Sequence, residues 1–149
     1  MSLVVRGLMI DCADPHSLAS FWGAVLRRPV EGGAEGPWVS LPEGNQPSMI
    51  FFRIVADAKQ VKNRLHLDLN PVDGTLAAEV QRLTALGATV LARHGRGSTG
   101  LGWVVLADPE GNEFCVESSD AEVAAVEARF DAEKADRVIG TDTRHARHA

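Results

Sequence analysis

The chain has 149 residues, 45% of them hydrophobic and 23% charged, which is the make-up of a globular protein with a core to bury. Wholesale disorder, collagen-like repeats and a disulfide scaffold are excluded on that basis. Twenty acidic side chains against fifteen basic ones leave a net charge of −5, so no global basic face exists to neutralise nucleic-acid phosphates.

The apolar, β-branched residues 3–10 predict a first strand. Asp14 then offers a helix N-cap and Pro15 a first helical residue whose missing N–H costs nothing. Leu18, Phe21, Trp22, Val25 and Leu26 recur at helical spacing, so a helix is expected from Pro15 to Arg27, stopped by Pro29. Residues 38–41 and 49–55 read as strands about the turn PEGNQP, and a polar, basic connector follows to Arg64. Residues 65–69 predict another strand. Asp73 is expected to cap a second helix with Leu76, Val80, Leu83 and Leu86 as its stripe, ended by Gly87 in a left-handed conformation. Strands are expected at 89–92, 103–106 and 113–117, with a glycine-rich loop at 94–102 and the turn ADPEGN between the last two. A third amphipathic helix, 120–137, carries Val123, Val126 and Phe130, and the tail from Gly140 has no apolar period and is expected to fray.

The pattern restarts halfway. WVSLPEGN at Trp38 recurs as WVVLADPEGN at Trp103, and the strand-to-helix passage at Asp14 recurs at Asp73. Each half is a strand–helix–strand–strand–strand unit that cannot bury its sheet alone, so the two must cover one another and leave a cleft. The fold class expected is α+β: one domain over residues 1–117, built from units 3–55 and 64–117, then a helix and tail over 118–149. Cys12 and Cys115 can form at most one bridge, and with no secretory pattern they read as reduced thiols of a cytoplasmic protein. No apolar run approaches the ~20 residues of a spanning helix.

DCADPHSLASFWGAVL, KNRLHLDL, LGATVL and DPEGNEFCV together resemble the vicinal oxygen chelate superfamily of glyoxalases, bleomycin-resistance proteins and extradiol dioxygenases. In particular they resemble glyoxalase-like domains of the actinobacterial type. The resemblance implies paired βαβββ modules forming a half-open barrel around a small-molecule site, and a homodimer. Its metal-dependent members hold one divalent ion with four side chains, from the first and last strand of each module. Seven residues before Asp73 stands His66, which matches; seven before Asp14 stands Gly7, which has no ligating side chain. The carboxylate position of the last strand holds Cys115, and its counterpart in the first module is the apolar run Met49 to Phe52. No cofactor is therefore expected. The alternative is zinc, iron, nickel or manganese held by His66 with Glu113 or Cys115, since a catalytic ion needs about three protein ligands.

His66 is the candidate catalytic residue, as a general base or an orienting imidazole. Asp68 shares its strand face and reads either as its partner or as a solvated strand end. Trp38 and Trp103 are candidate aromatic walls, and one of Phe51 and Phe52 should line the cleft while the other packs inward. Arg64, by parity with His66, and Glu113, by parity with Cys115, belong at the rim. Cys115 itself reads as a buried, unactivated thiol at the cleft. His94 and Arg96 are read as part of a mobile lid; Lys59 and Lys62 are read as a solvated linker. Three functions compete: sequestration of a small organic ligand, metal-free chemistry through His66, and metal-dependent lyase, isomerase or dioxygenase activity. Loss of two ligand positions in the first module disfavours the third.

Overall fold

The computed structural model describes residues 3–34, 36–42 and 47–145, with side chains to residue 135. Two consecutive βαβββ units account for residues 7–117. The first comprises β1 (Gly7–Cys12), α1 (Pro15–Leu26), β2 (Val30–Gly33), β3 (Gly36–Ser40) and β4 (Met49–Ile54). The second comprises β5 (Asp68–Leu69), α2 (Leu76–Ala85), β6 (Thr89–Gly95), β7 (Gly102–Ala107) and β8 (Glu113–Glu117), and α3 (Asp120–His145) follows. Each unit makes one four-stranded mixed sheet, in the orders β1-β4-β3-β2 and β5-β8-β7-β6, and no closed barrel forms.

Local chemistry sets these bounds. Asp14 accepts N–H bonds from His16 and Ser17 at 3.1 Å, with Pro15 in the first turn. Trp38 lies opposite Phe51, and Trp103 lies opposite Glu117, so the repeated tryptophans occupy corresponding places. Gly87 takes φ 109 just past α2, as its position required.

Five expectations need correction. Strand β1 runs Gly7–Cys12 rather than over residues 3–10, because its pairing with β4 starts at Gly7 opposite Met49. Strand β2 gives no sequence signal because it is a fully exposed edge containing two glycines. Thr75, not Asp73, caps α2, its hydroxyl accepting from Ala78 N at 3.2 Å. Strand β5 holds only Asp68 and Leu69 rather than residues 65–69, because pairing with β8 begins where Cys115 N donates to Leu67 O. Helix α3 runs to His145 instead of fraying after 137. The turn at 43–46, with Asn45, lies outside the described residues.

One core serves both units. Leu18, Phe21, Trp22 and Val25 of α1 pack with Val39, Ile50 and Phe52 of the first sheet and with Val104, Leu106, Phe114 and Val116 of the second. Trp22 reaches across, its ring 5.2 Å from Phe114 and its Nε1 donating to Asp108 Oδ2 at 3.2 Å. Asp108 is buried and also accepts from Glu110 N and from Asn112 N and Nδ2, which fixes the turn after β7. From that turn Glu110 accepts the N–H groups of Ala13 and Asp14 at the start of α1. Arg82 of α2 donates to the carbonyls of Ala24 and Val25 at the other end of α1. Helix α1 is thereby held by the second unit at both termini.

Helix α3 is started by Ser119, whose Oγ accepts from Glu122 N while Glu122 accepts from Ser119 N, a reciprocal cap. Val123 and Val126 are half-buried, Phe130 is 47% exposed, and the residues from Glu127 to Ala135 are all exposed.

Removing the Trp22 donor leaves Asp108 short of a partner in a buried place. Trp22→Phe should therefore lower stability by about 1–3 kcal/mol in urea unfolding. Glu110→Ala, at an exposed contact, should cost less; the reverse order would contradict this account of the seam.

Candidate functional site

Side chains alternate along β7 and β8, so Val104, Leu106, Phe114 and Val116 enter the core while Trp103, Cys115 and Glu117 face the other way. On that outer face His66, Asp68, Arg96, Trp103, Cys115 and Glu117 line an open bowl of about 220 Å³. His66 Nε2 lies 3.3 Å from Asp68 Oδ1, and the ligand atoms of His66, Asp68 and Cys115 all fall within 4.8 Å of one another. The register explains the meeting: Asp68 is the strand partner of Cys115, and His66 stands two residues earlier. Burial, then the charge and hydrogen bond of Asp68, push the Cys115 thiol up. It is a protonated, unactivated thiol as the protein stands. Cys12, buried at the end of β1 and not in the bowl, is pushed up to about 11, first by burial.

The other wall of the bowl is aromatic and charged. A bulge between Val90 and Ala92 shifts the register of β6 so that His94 comes opposite Trp103. Their rings stack at 4.8 Å with 17° between planes. Arg96 lies 5.8 Å over the same indole and pairs with Glu117 at 3.1 Å. His94 and Arg96 thus belong to a hairpin, not to the lid expected from the glycine-rich sequence: Arg96 N donates to Leu101 O at 2.8 Å and a short 3₁₀ turn, Gly97–Thr99, closes it.

The first unit lacks this chemistry. Gly7 is the strand partner of Met49, as Asp68 is of Cys115, and each stands seven residues before its helix cap. Asp68 is therefore the counterpart of Gly7, and His66 that of Val5; the count from Asp73 misplaced them by two residues. A Cβ at Gly7 would sit 2.7 Å from the Phe51 ring. The place of a ligating side chain is filled by an aromatic ring, which lies 6.4 Å from that of Trp38.

The sequence-derived site residues therefore separate. His66, Cys115 and Trp103 share the bowl. Trp38 and Phe51 lie together on the first sheet and do not line it. Phe52 is 1% exposed in the core, where its strand parity sends it, and faces no cleft. Arg64 is exposed and outside the bowl, because residues 64–66 are not in a strand and strand parity does not reach them. Glu113 is taken up by the connector: it accepts from Asn63 N at 2.9 Å and pairs with Lys59 at 3.2 Å. Burial pushes its carboxyl up, but the N–H bonds of Asn63 and its own backbone and the Lys59 ammonium outweigh that and hold it below the usual range. Sequence reasoning gives Glu117 no role and cannot bring Arg96 to it, since the hairpin closure decides that contact.

The family described as Glyoxalase-like domain matches residues 7–117. No curated protein matches the chain. Among solved structures, a glyoxalase/bleomycin resistance protein/dioxygenase family enzyme from Burkholderia phytofirmans PsJN is similar at TM-score 0.59 and 19% identity, over 77% of this chain and 98% of that one. The fosfomycin resistance protein FosX of Listeria monocytogenes, in complex with Mn(II) and 1S,2S-dihydroxypropylphosphonic acid, is similar at TM-score 0.61 and 12% identity, over 82% and 94%. An integron cassette protein of V. cholerae follows at TM-score 0.54 and 16% identity, over 78% and 96%. No described helix is long and apolar enough to cross a membrane.

Because the folded Glu113 carboxyl titrates below its unfolded value, its stabilisation is complete above the ordinary carboxylate range and is lost as pH falls through the folded value. Glu113→Gln should cost about 1–2 kcal/mol near pH 7 and flatten the acid limb of a stability–pH curve. An acid limb unchanged by the substitution would show that the connector is not tied through this carboxylate.

Proposed function

The chain belongs to the glyoxalase-like domain family, and from that premise we propose that it binds a small organic molecule in the bowl of its second unit, with His66 handling its polar group. The observation that carries this reading is the His66–Asp68 pair beside Trp103 and Cys115, in a bowl open to solvent. The Asp68 carboxylate stands 3.3 Å from the imidazole Nε2 and favours a ring that presents N–H on that side, which leaves the other nitrogen to hydrogen-bond or exchange a proton with a ligand oxygen. Trp103, steadied by His94 and Arg96, supplies an apolar face. Sequestration and metal-free acid–base chemistry both use this arrangement, and the protein works as a dimer in either case.

A second reading has its own observation. Imidazole nitrogen, carboxylate oxygen and thiol sulfur within 4.8 Å form a donor set suited to zinc, with room for water or substrate. FosX, similar in fold, is described in complex with Mn(II). An ion held by His66, Asp68 and Cys115 would polarise a ligand oxygen; it would also require the Cys115 thiol to lose its proton, against its raised pKa. The blocked Gly7 position leaves the set without a donor from the first unit, and this weighs for the metal-free reading.

Substitution tests both. A thermal-shift screen of small carbonyl and planar aromatic compounds should yield ligands whose stabilisation is lost in His66→Ala, while the variant folds as wild type, because the His66 side chain is 37% exposed. Undiminished shifts in that variant would move the site elsewhere. Dialysis against Zn²⁺ should leave no stoichiometric ion; about one per chain, lost in both His66→Ala and Cys115→Ala, would put the metal-dependent reading in its place.

A further inference from the structure

The two sheets are not hydrogen-bonded to each other. β1 ends one sheet and β5 ends the other, so each leaves an edge without a strand partner, and residues 63–67 run beside that of β1. Between them is a slot of about 250 Å³, whose walls include Met9, Leu65 and Leu67 and which reaches Trp22 and Phe114. Met9 and Leu65 are 55% and 72% exposed, whereas Trp22 and Phe114 are 2% and 0% exposed. The slot therefore leads from solvent down to the aromatic centre of the core. Three of its polar residues are turned onto the protein: Asn63 N donates to Glu113, Asn63 Nδ2 to Asn112 Oδ1, and Asn112 Nδ2 to Asp108, while Asp11 is exposed and His66 also lines the bowl. What the slot offers a guest is mainly apolar wall.

His66 lines both this slot and the bowl, so the two cavities are neighbours on either side of one residue. Neither alone reaches the roughly 300 Å³ at which small-molecule sites begin, and joined they do. We propose that the slot is a second subsite, taking a short apolar group of the same ligand whose polar head lies in the bowl. The ligand class is then an amphipathic small molecule, with an oxygen-bearing head at His66 and an alkyl or aryl tail between the sheets. This rests on the reading of His66 as ligand-facing. It adds a selection rule that the bowl cannot supply, because an open bowl of charged groups does not measure tail length and a slot with an aromatic floor does.

The test uses the full chain and the n-alkanols from 1-butanol to 1-octanol, followed by NMR through the Trp22 indole N–H and the Met9 methyl. Both signals should move, and affinity should climb about three- to fourfold per methylene until the slot is full. Leu65→Trp and Met9→Phe, both at exposed positions, should abolish the climb while leaving the circular dichroism unchanged. His66→Ala should weaken all the alkanols by a similar factor and keep the climb per methylene, since the imidazole meets the head and not the tail. Signals that stay still, or a climb that survives both blocking variants, would overturn the slot. A climb blocked by Leu65→Trp supports the slot even if His66→Ala costs the screened ligands nothing, a result that would count against the bowl reading alone.

Discussion

The hydrogen bond from the Trp22 indole to the buried Asp108 carboxylate is the constraint on which the rest depends. Neither four-stranded sheet can bury its own apolar face, and α1 is the element both need. Trp22 sends an aromatic ring against Phe114 and a donor to Asp108 from one side chain, so apolar packing and polar satisfaction fix the same geometry. Glu110 and Arg82 then hold α1 at its N–H and carbonyl ends, a pairing of charges with helix termini that its macrodipole favours. Once α1 is clamped in this way, the edge of β1 lies beside residues 63–67, and the slot and bowl take their places.

Asymmetry between the halves follows from single positions in that frame. Gly7 lets Phe51 occupy the space of a donor, so the first sheet presents rings. At the matching register the second sheet has Asp68 beside Cys115, and the imidazole of His66 comes to them because the chain leaves strand geometry just before β5. A duplicated fold thus yields a polar bowl on the second sheet, with Trp103 in its wall, and an aromatic pair on the first sheet that lies outside it. The apolar walls that carry affinity in small-molecule pockets are found instead in the slot beside His66.

Much of this is legible in the residues. The repeated tryptophans, Asp14 with Pro15, and the restart after Arg64 give both units, because caps and periodicities act locally. The site is legible where parity holds: Cys115 and Trp103 sit on strands, and their facing is a matter of counting. Arg64 and Glu113 fail for want of that. A bent segment has no parity, and the Glu113 carboxylate finds Lys59 and Asn63 only when the connector folds back. Asp108 is a turn residue by sequence; its burial under Trp22, some 86 positions away in the chain, depends on how the units dock. Thr75 displaces Asp73 as a cap because Gly74, at φ 89, turns the chain before the helix begins.

The central claim is that one seam joins the units into a single cooperative frame for the site. Native-state hydrogen exchange tests it most directly. The amides of Val55, bonded to Cys12 O in the first unit, and of Cys115, bonded to Leu67 O in the second, should open with one free energy equal to that of global unfolding. Both should fall by the same amount in Trp22→Phe. If Val55 exchanges through a lesser opening that leaves Cys115 protected, the units are separable and the site does not depend on the seam.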